Sequence, residues 1–221
     1  MARQYVNCSS GTCASTPTIS KDAFVIKQGD TCPVFEINIQ DPETGEPVPY
    51  EGWDVEVYMY FISCLGTDSD APVSLNTSII TLLGKANLCQ IKIGDIIGVD
   101  DCNQNENEFM LVLDVDYSTG EITVERGYGG SDIYNHDKGD KLIFYRIYGS
   151  DGYIDSKFED DLETTEDETD YSVLGYRWTA EDTSHAGTYY FEFKAINNSI
   201  IPPQVRSFPV NSNDYIVQII W

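Results

Sequence analysis

The chain has 221 residues, 41% of them hydrophobic, enough for one large domain or two small ones with a self-sufficient core. Its 37 Asp and Glu outnumber 13 Lys and Arg, for a formal charge of −24. Such a surface repels nucleic acid, whose binding needs Lys and Arg to displace counterions, and disfavours anionic membranes; it favours solubility, basic protein partners and hard cations.

Residues 1–22, rich in Ser, Thr, Asn and Cys, carry no apolar period and read as an extended N-terminal arm. The opening MARQYVNCSS lacks the apolar core of a secretory signal, so synthesis and folding in a cytosol are expected. No stretch approaches the roughly 18 apolar residues of a membrane span.

Three runs follow, AFVIKQ, PVFEINIQ and WDVEVYMYFI, rich in β-branched and aromatic residues and broken by the turn-forming GDTCP and DPETGEPVPYEG. In the second run Val34, Glu36, Asn38 and Gln40 oppose Phe35, Ile37 and Ile39, one wet face and one apolar face of an antiparallel sheet.

Residues 74–148 read as a separate inserted unit with strands near SIITLL, GDIIGV, EFMLVLDVD, GEITVERG and DKLIFYRI. Five short strands with Gly and Asp turns predict a small barrel or curled sheet. DVDYSTGEITV is a hairpin turning at Ser118-Thr119-Gly120. A short helix around Thr81–Leu88 is the only helical candidate.

Within this unit, ERGYGGSDIYNHDKGDK raises the question of a phosphate cradle. A cradle needs a strand, a glycine loop and then a helix whose amides face the anion. Here the glycines lead into another strand, and Asp132, Asp137 and Asp140 would repel phosphate. Gly127, Gly129 and Gly130 are expected instead to permit positive φ at a hairpin tip or barrel corner.

Residues 149–170 read as an acidic linker. Glu159, Asp160, Asp161, Glu163, Glu166, Asp167, Glu168 and Asp170 make a solvated run that can dock a basic partner or bind Ca²⁺ loosely. Four more runs, YSVLGYRWT, GTYYFEFKAI, QVRSFPV and YIVQIIW, close the chain. Joined with the first three they make seven strands, so residues 23–65 plus 171–221 are expected to fold as one discontinuous immunoglobulin-like antiparallel β-sandwich. In TSHAGTYYFEF, Tyr189 enters a strand after a polar turn, the setting of a tyrosine corner.

Catalysis, a cofactor and a metal are not expected. His136 and His185 fall in predicted loops without a nucleophile signature and read as surface histidines. DDCNQNENE fails as an EF-hand, with Glu106 where glycine is needed and Val112 where glutamate is needed. The pair Asp151 and Asp155 has glycosidase-like residue types but no spacing that supports hydrolysis. Of six cysteines, none forms a C-x-x-C pair; buried thiols are the first expectation, and Cys8, Cys13, Cys89 and Cys102 are the candidates for later disulfide formation.

Two segments carry a resemblance. FVIKQGDTCPVFEINIQDPETGEPVPYEGWDVEVYMY, through Ile26, Gly29, Asp30, Thr31, Gly45, Pro47, Val48 and Trp53, resembles the opening of immunoglobulin-like modules of tailed-phage virion proteins, notably the N-terminal domain of upper baseplate proteins. WTAEDTSHAGTYYFEFKAI resembles the D-T-x-x-x-G-x-Y-x-x-E-F strand of the same modules, through Asp182, Thr183, Gly187, Tyr189, Glu192 and Phe193. The element MLVLDVDYSTGEITVERGYGGS…H…GD is similar to one found in phage head and tail proteins.

The resemblance implies a non-enzymatic structural component of a tailed bacteriophage virion, in the baseplate or tail, forming a symmetric oligomer and docking on other virion proteins without nucleic acid or membrane. The alternatives it leaves are a neck, collar or capsid decoration protein. A carbohydrate- or receptor-binding module is the reading from another class, and it requires Tyr128, Tyr134, Tyr148 and Tyr153 to form a solvent-facing platform.

Overall fold

The computed structural model describes residues 23–39, 50, 52–67, 77–84, 87–100, 107–159, 169–208 and 215–221. The protein is all-β, with two short 3₁₀ turns, Leu88–Gln90 and Tyr128–Gly130, as the helical elements among the described residues. The expected helix around Thr81–Leu88 is absent from its described part: a strand ends at Thr81. No helix among the described residues is long and apolar enough to cross a membrane.

The chain divides into two compact units. One comprises the described part of 60–146; the other comprises the described parts of 19–59 and 147–221. The divisions fall at Met59/Tyr60, within strand β3 (Asp54–Cys64), and at Arg146/Ile147, within strand β8 (Lys141–Asp151).

The discontinuous unit holds two sheets. In one, β1 (Phe24–Lys27) runs parallel to β13 (Ile216–Ile220), β13 pairs with β11 (Gly187–Asn197), and β11 neighbours β3. Strand β12 (Gln204–Phe208) pairs with the far half of β11. The other sheet orders β2 (Phe35–Ile39), β10 (Thr169–Tyr176) and β9 (Tyr153–Glu159), all antiparallel. The parallel β1–β13 pair departs from an all-antiparallel expectation.

An aromatic core joins the faces of these sheets. Phe35 on β2 meets Phe191 and Phe193 on β11 at ring-centroid distances of 4.8 and 5.7 Å. Trp178 lies 5.8 Å from Phe24 and 5.4 Å from Phe191. Each such ring contributes about 1.5–3 kcal/mol on burial, before the geometric preference of aromatic pairs. Period-2 alternation explains why these side chains converge, since every second residue of a strand faces the same side.

Residues 149–170, read from sequence as a linker, instead carry the end of β8, all of β9 and the start of β10. Their many carboxylates mimic a solvated connector, but Ser172, Val173 and Leu174 pair with Ser156, Asp155 and Ile154. Gly175 allows this register to close. A Cβ there would stand 2.2 Å from Cζ of Tyr153, directly across the ladder.

In the other unit, strand order runs from β3 through β8, β5 (Ile96–Asp100), β6 (Asn107–Asp116) and β7 (Glu121–Arg126) to β4 (Thr77–Thr81). The ends then meet. Leu65 and Leu82 form an antiparallel bridge, the Gly66 amide donates to the Thr81 carbonyl (2.7 Å), and the Leu83 amide donates to the Cys64 carbonyl (2.8 Å). Six strands thus close into a small barrel, which removes free edges. Its interior is filled by residues such as Ile97, Val112, Ile122 and Val124, with Phe61 and Phe144 stacked at 4.8 Å. A bulge between Val112 and Asp114 shifts the β6–β7 register, which sharpens local twist.

Candidate functional site

The glycine-rich segment lies on the barrel. Strand β7 alternates buried and half-buried residues, placing Ile122, Val124 and Arg126 on the core side. Strand β6 does the same with Glu108, Met110 and Val112. Two opposite charges therefore point into one interior. Arg126 Nε and Nη2 donate to Glu108 Oε1 and Oε2 at 2.6 and 2.5 Å, and both side chains are fully buried. His136 Nε2 lies 2.9 Å from Glu108 Oε2. An ionised carboxylate only accepts, so Nε2 carries the proton.

The same carboxylate accepts from the Gly127 amide (3.3 Å) and the Tyr134 amide (3.1 Å), while Arg126 Nη2 also donates to the Tyr134 carbonyl. Burial alone would raise the Glu108 pKa; the hydrogen bonds from Arg126, His136 and Tyr134 outweigh it and hold the carboxyl down to about 2. Asp140 Oδ2 stands 3.8 Å from His136 Nδ1. The segment is further stitched by the Phe109 amide donating to Ser131 Oγ (2.9 Å) and the Leu65 amide donating to the Asp140 carbonyl (2.9 Å).

Gly127, Gly129 and Gly130 adopt φ of 67°, 67° and 84°, the left-handed conformation that other residues resist. No helix long enough to face an anion follows them; Ser131 is extended. The loop is a barrel corner clamped from inside. His136, expected at the surface, is 2% exposed, because its ring completes the solvation of a buried carboxylate.

A second buried charge pair supports the barrel. Arg146 Nη1 lies 3.3 Å from Asp95 Oδ1, and Arg146 Nη2 donates to the Gln90 carbonyl. Burial pushes the Asp95 carboxyl up to about 6, against the opposing pull of Arg146 and the Lys92 amide.

In the two-sheet unit, the residues that carry the resemblance come together although they lie some 150 positions apart. Thr183, fully buried, donates its hydroxyl to the Asp30 carbonyl (2.9 Å), and the Gly29 amide donates to the Thr183 carbonyl (3.1 Å). Asp182 accepts from the Thr179 amide (2.7 Å) and the Tyr176 hydroxyl (3.0 Å). Tyr189 donates to the His185 carbonyl four residues upstream (3.2 Å), which is a tyrosine corner. Thr183 thus ties residues 29 and 30 to a turn far along the chain, while Asp182 and Tyr189 make contacts within a few residues of themselves.

A pocket of about 490 Å³ in this unit is lined by Trp53, Asp54, Glu56, Asp151, Tyr153 and Asn198, among others. Asn198 donates to Asp54 (2.7 Å), and the Tyr153 hydroxyl donates to Glu36 (2.7 Å) beneath the Arg177 guanidinium, 4.4 Å from the ring centre. Beside it, the Tyr58 hydroxyl donates to Glu56 (2.6 Å); burial, then the Glu56 hydrogen bond and charge, push that hydroxyl well above its ordinary value.

Asp151 stands in the pocket wall, whereas the Asp155 side chain lies outside the described residues. The four tyrosines proposed as a platform are divided, Tyr128 and Tyr134 in the barrel unit and Tyr148 and Tyr153 in the other. Tyr148 packs edge-on against Tyr58 at 5.4 Å. Among the described residues no group of three or more His, Cys, Asp or Glu is placed to hold a metal ion.

Of the disulfide candidates, Cys89 is a free and exposed thiol. Cys64, buried at the end of β3, is disulfide-bonded instead. Cys8, Cys13 and Cys102 lie outside the described residues, as do the N-terminal arm and residues 160–168 of the acidic run. Glu159 and Asp170 are placed by their backbones in β9 and β10. No family model matches the chain, and no curated protein matches it.

Proposed function

We propose that this chain is a non-enzymatic structural component of a tailed-phage virion, in the baseplate or tail, with a neck, collar or capsid decoration protein as the nearest alternative placement. The observation that carries the reading is the junction of Asp30 with Thr183. The two segments that resemble virion modules meet through backbone-directed hydrogen bonds, so their shared residues serve a common architecture. The barrel's polar residues support the same reading: Glu108 accepts from Arg126, His136 and the Tyr134 amide, which ties the glycine-rich loop to the barrel interior.

Electron microscopy of tailed-phage particles labelled with antibodies against this chain tests the proposal. Label at the tail or baseplate is the expected result; unlabelled particles beside a soluble pool of the chain would overturn it.

A receptor-binding role is the second reading, favoured by the pocket that sets Trp53 and Tyr153 beside three carboxylates. Aromatic faces and carboxylate acceptors together suit a hydroxyl-rich sugar. Binding to immobilised glycans that is lost in Trp53→Ala separates this reading from a purely architectural one.

A further inference from the structure

We infer that the outer edge of β12 is a docking surface for a second copy of this chain. Among the described residues β12 pairs with one strand only, β11, and none of them pairs with the other side of its backbone. Such an edge is a template for another strand unless it is covered or charged. Gln204, Val205, Arg206 and Ser207 are all exposed, on both faces of the strand. The turn before them is apolar: Ile200 and Ile201 are 47% and 95% exposed, Pro202 and Pro203 follow, and Val205 on the strand itself is 53% exposed. Apolar side chains grouped this way mark a contact surface more often than scattered ones do.

Charge identifies the occupant. From Phe193 to Asn213 the sequence has no Asp or Glu and two basic residues, Lys194 and Arg206, in a chain of net charge −24. Lys194 is occupied over the Tyr58 ring, 3.9 Å from its centre, which leaves the exposed Arg206 as the outward charge of the edge. A basic partner is drawn to the acidic remainder of the molecule and repelled here. An acidic partner is repelled almost everywhere except here. A second copy of the chain is such a partner, and strand addition lets its backbone complete the ladder while one of its carboxylates meets Arg206.

Light scattering coupled to size exclusion, on the purified full chain across a concentration series, reads the result without any particle. It is therefore independent of the virion reading. The wild-type mass is expected to rise from the 24.8 kDa of one chain with concentration, and to rise further with salt, which screens the long-range repulsion. Ile201→Glu, Val205→Glu and Arg206→Glu are each expected to weaken association by roughly tenfold or more. All three sites are exposed, so folding is spared. Ile79→Glu, at an exposed position (65%) of the barrel, serves as the control and should associate as wild type does. A wild-type chain that stays at single-chain mass at every concentration overturns the inference. So do edge variants that associate normally, or a control that fails to.

Discussion

The two units solve one problem, fixing irregular chain to a sheet, by different physics. The barrel clamps its glycine loop with a fully buried carboxylate, guanidinium and imidazole. The two-sheet unit ties its ends with neutral hydroxyl-to-carbonyl bonds around an aromatic core. A buried ion pair gives little net stability while intact but is costly to break, because one charge is left without its partner. A neutral lock contributes about 1 kcal/mol and costs about 1–2 kcal/mol to lose, less than an orphaned buried charge. The barrel is thus the conditional half of the molecule, and the sandwich the forgiving half.

Removing one member of the buried pair should separate the halves most. Arg126→Met is expected to destabilise the barrel by about 3–5 kcal/mol, with hydrogen exchange in 107–146 accelerating and that in 187–197 unchanged. Equal acceleration in both regions would show that the clamp is not local to the barrel.

Acid sharpens the same contrast, with an effect on the order of 2–3 kcal/mol per group. Glu108 is held below its ordinary 4.5, so its contribution is present above that pH and is lost as pH falls toward about 2. Asp95 is raised from 3.8 to about 6, so its protonated form contributes stability below 3.8 that is lost as pH rises through 6. Together they place the barrel's optimum near pH 4–5. Urea unfolding at a series of pH values should show that maximum in the wild type. Asp95→Asn should flatten its neutral side, and Glu108→Gln its acid side.

Smaller changes are expected from the locks of the other unit. Thr183→Val should cost about 1–2 kcal/mol, because the Asp30 carbonyl loses a buried donor, and Tyr189→Phe about 1 kcal/mol. Urea midpoints that do not move would mean that water replaces these hydroxyls. Least of all, changing the carboxylates of Glu159–Asp170 to Gln and Asn should alter stability by under about 0.5 kcal/mol while raising the mass seen by light scattering. A lowered mass would make that run an adhesive surface.

Sequence periodicity exposed the strands because burial on one face imposes a period of two, and the barrel's Gly and Asp turns punctuate it. β9 escaped because its carboxylates lie in a strand with little apolar alternation. The clamp escaped because Glu108, Arg126 and His136 are 18 and 28 residues from one another's partner and share no local motif. Parity held the signal: Glu108 falls in phase with Met110 and Val112, and Arg126 with Ile122 and Val124, so each strand puts a charge where only apolar residues belong. Cys64 gave no such sign, since a buried thiol and a half-cystine look alike in sequence. The Thr183–Asp30 junction was legible only as two separate motifs.

The placement of tryptophan gives the molecule a built-in optical label. All three indoles, Trp53, Trp178 and Trp221, belong to the two-sheet unit, and the barrel's described residues hold none. Trp178 is 4% exposed among rings, whereas Trp221 is 87% exposed and already in water. Intrinsic indole emission on unfolding therefore follows the surroundings of Trp178 and of the half-buried Trp53, packed 4.9 Å from Tyr50, and is blind to the barrel, while far-ultraviolet dichroism sums both. A denaturation curve that differs between the two signals would time the melting of each half in an unlabelled chain.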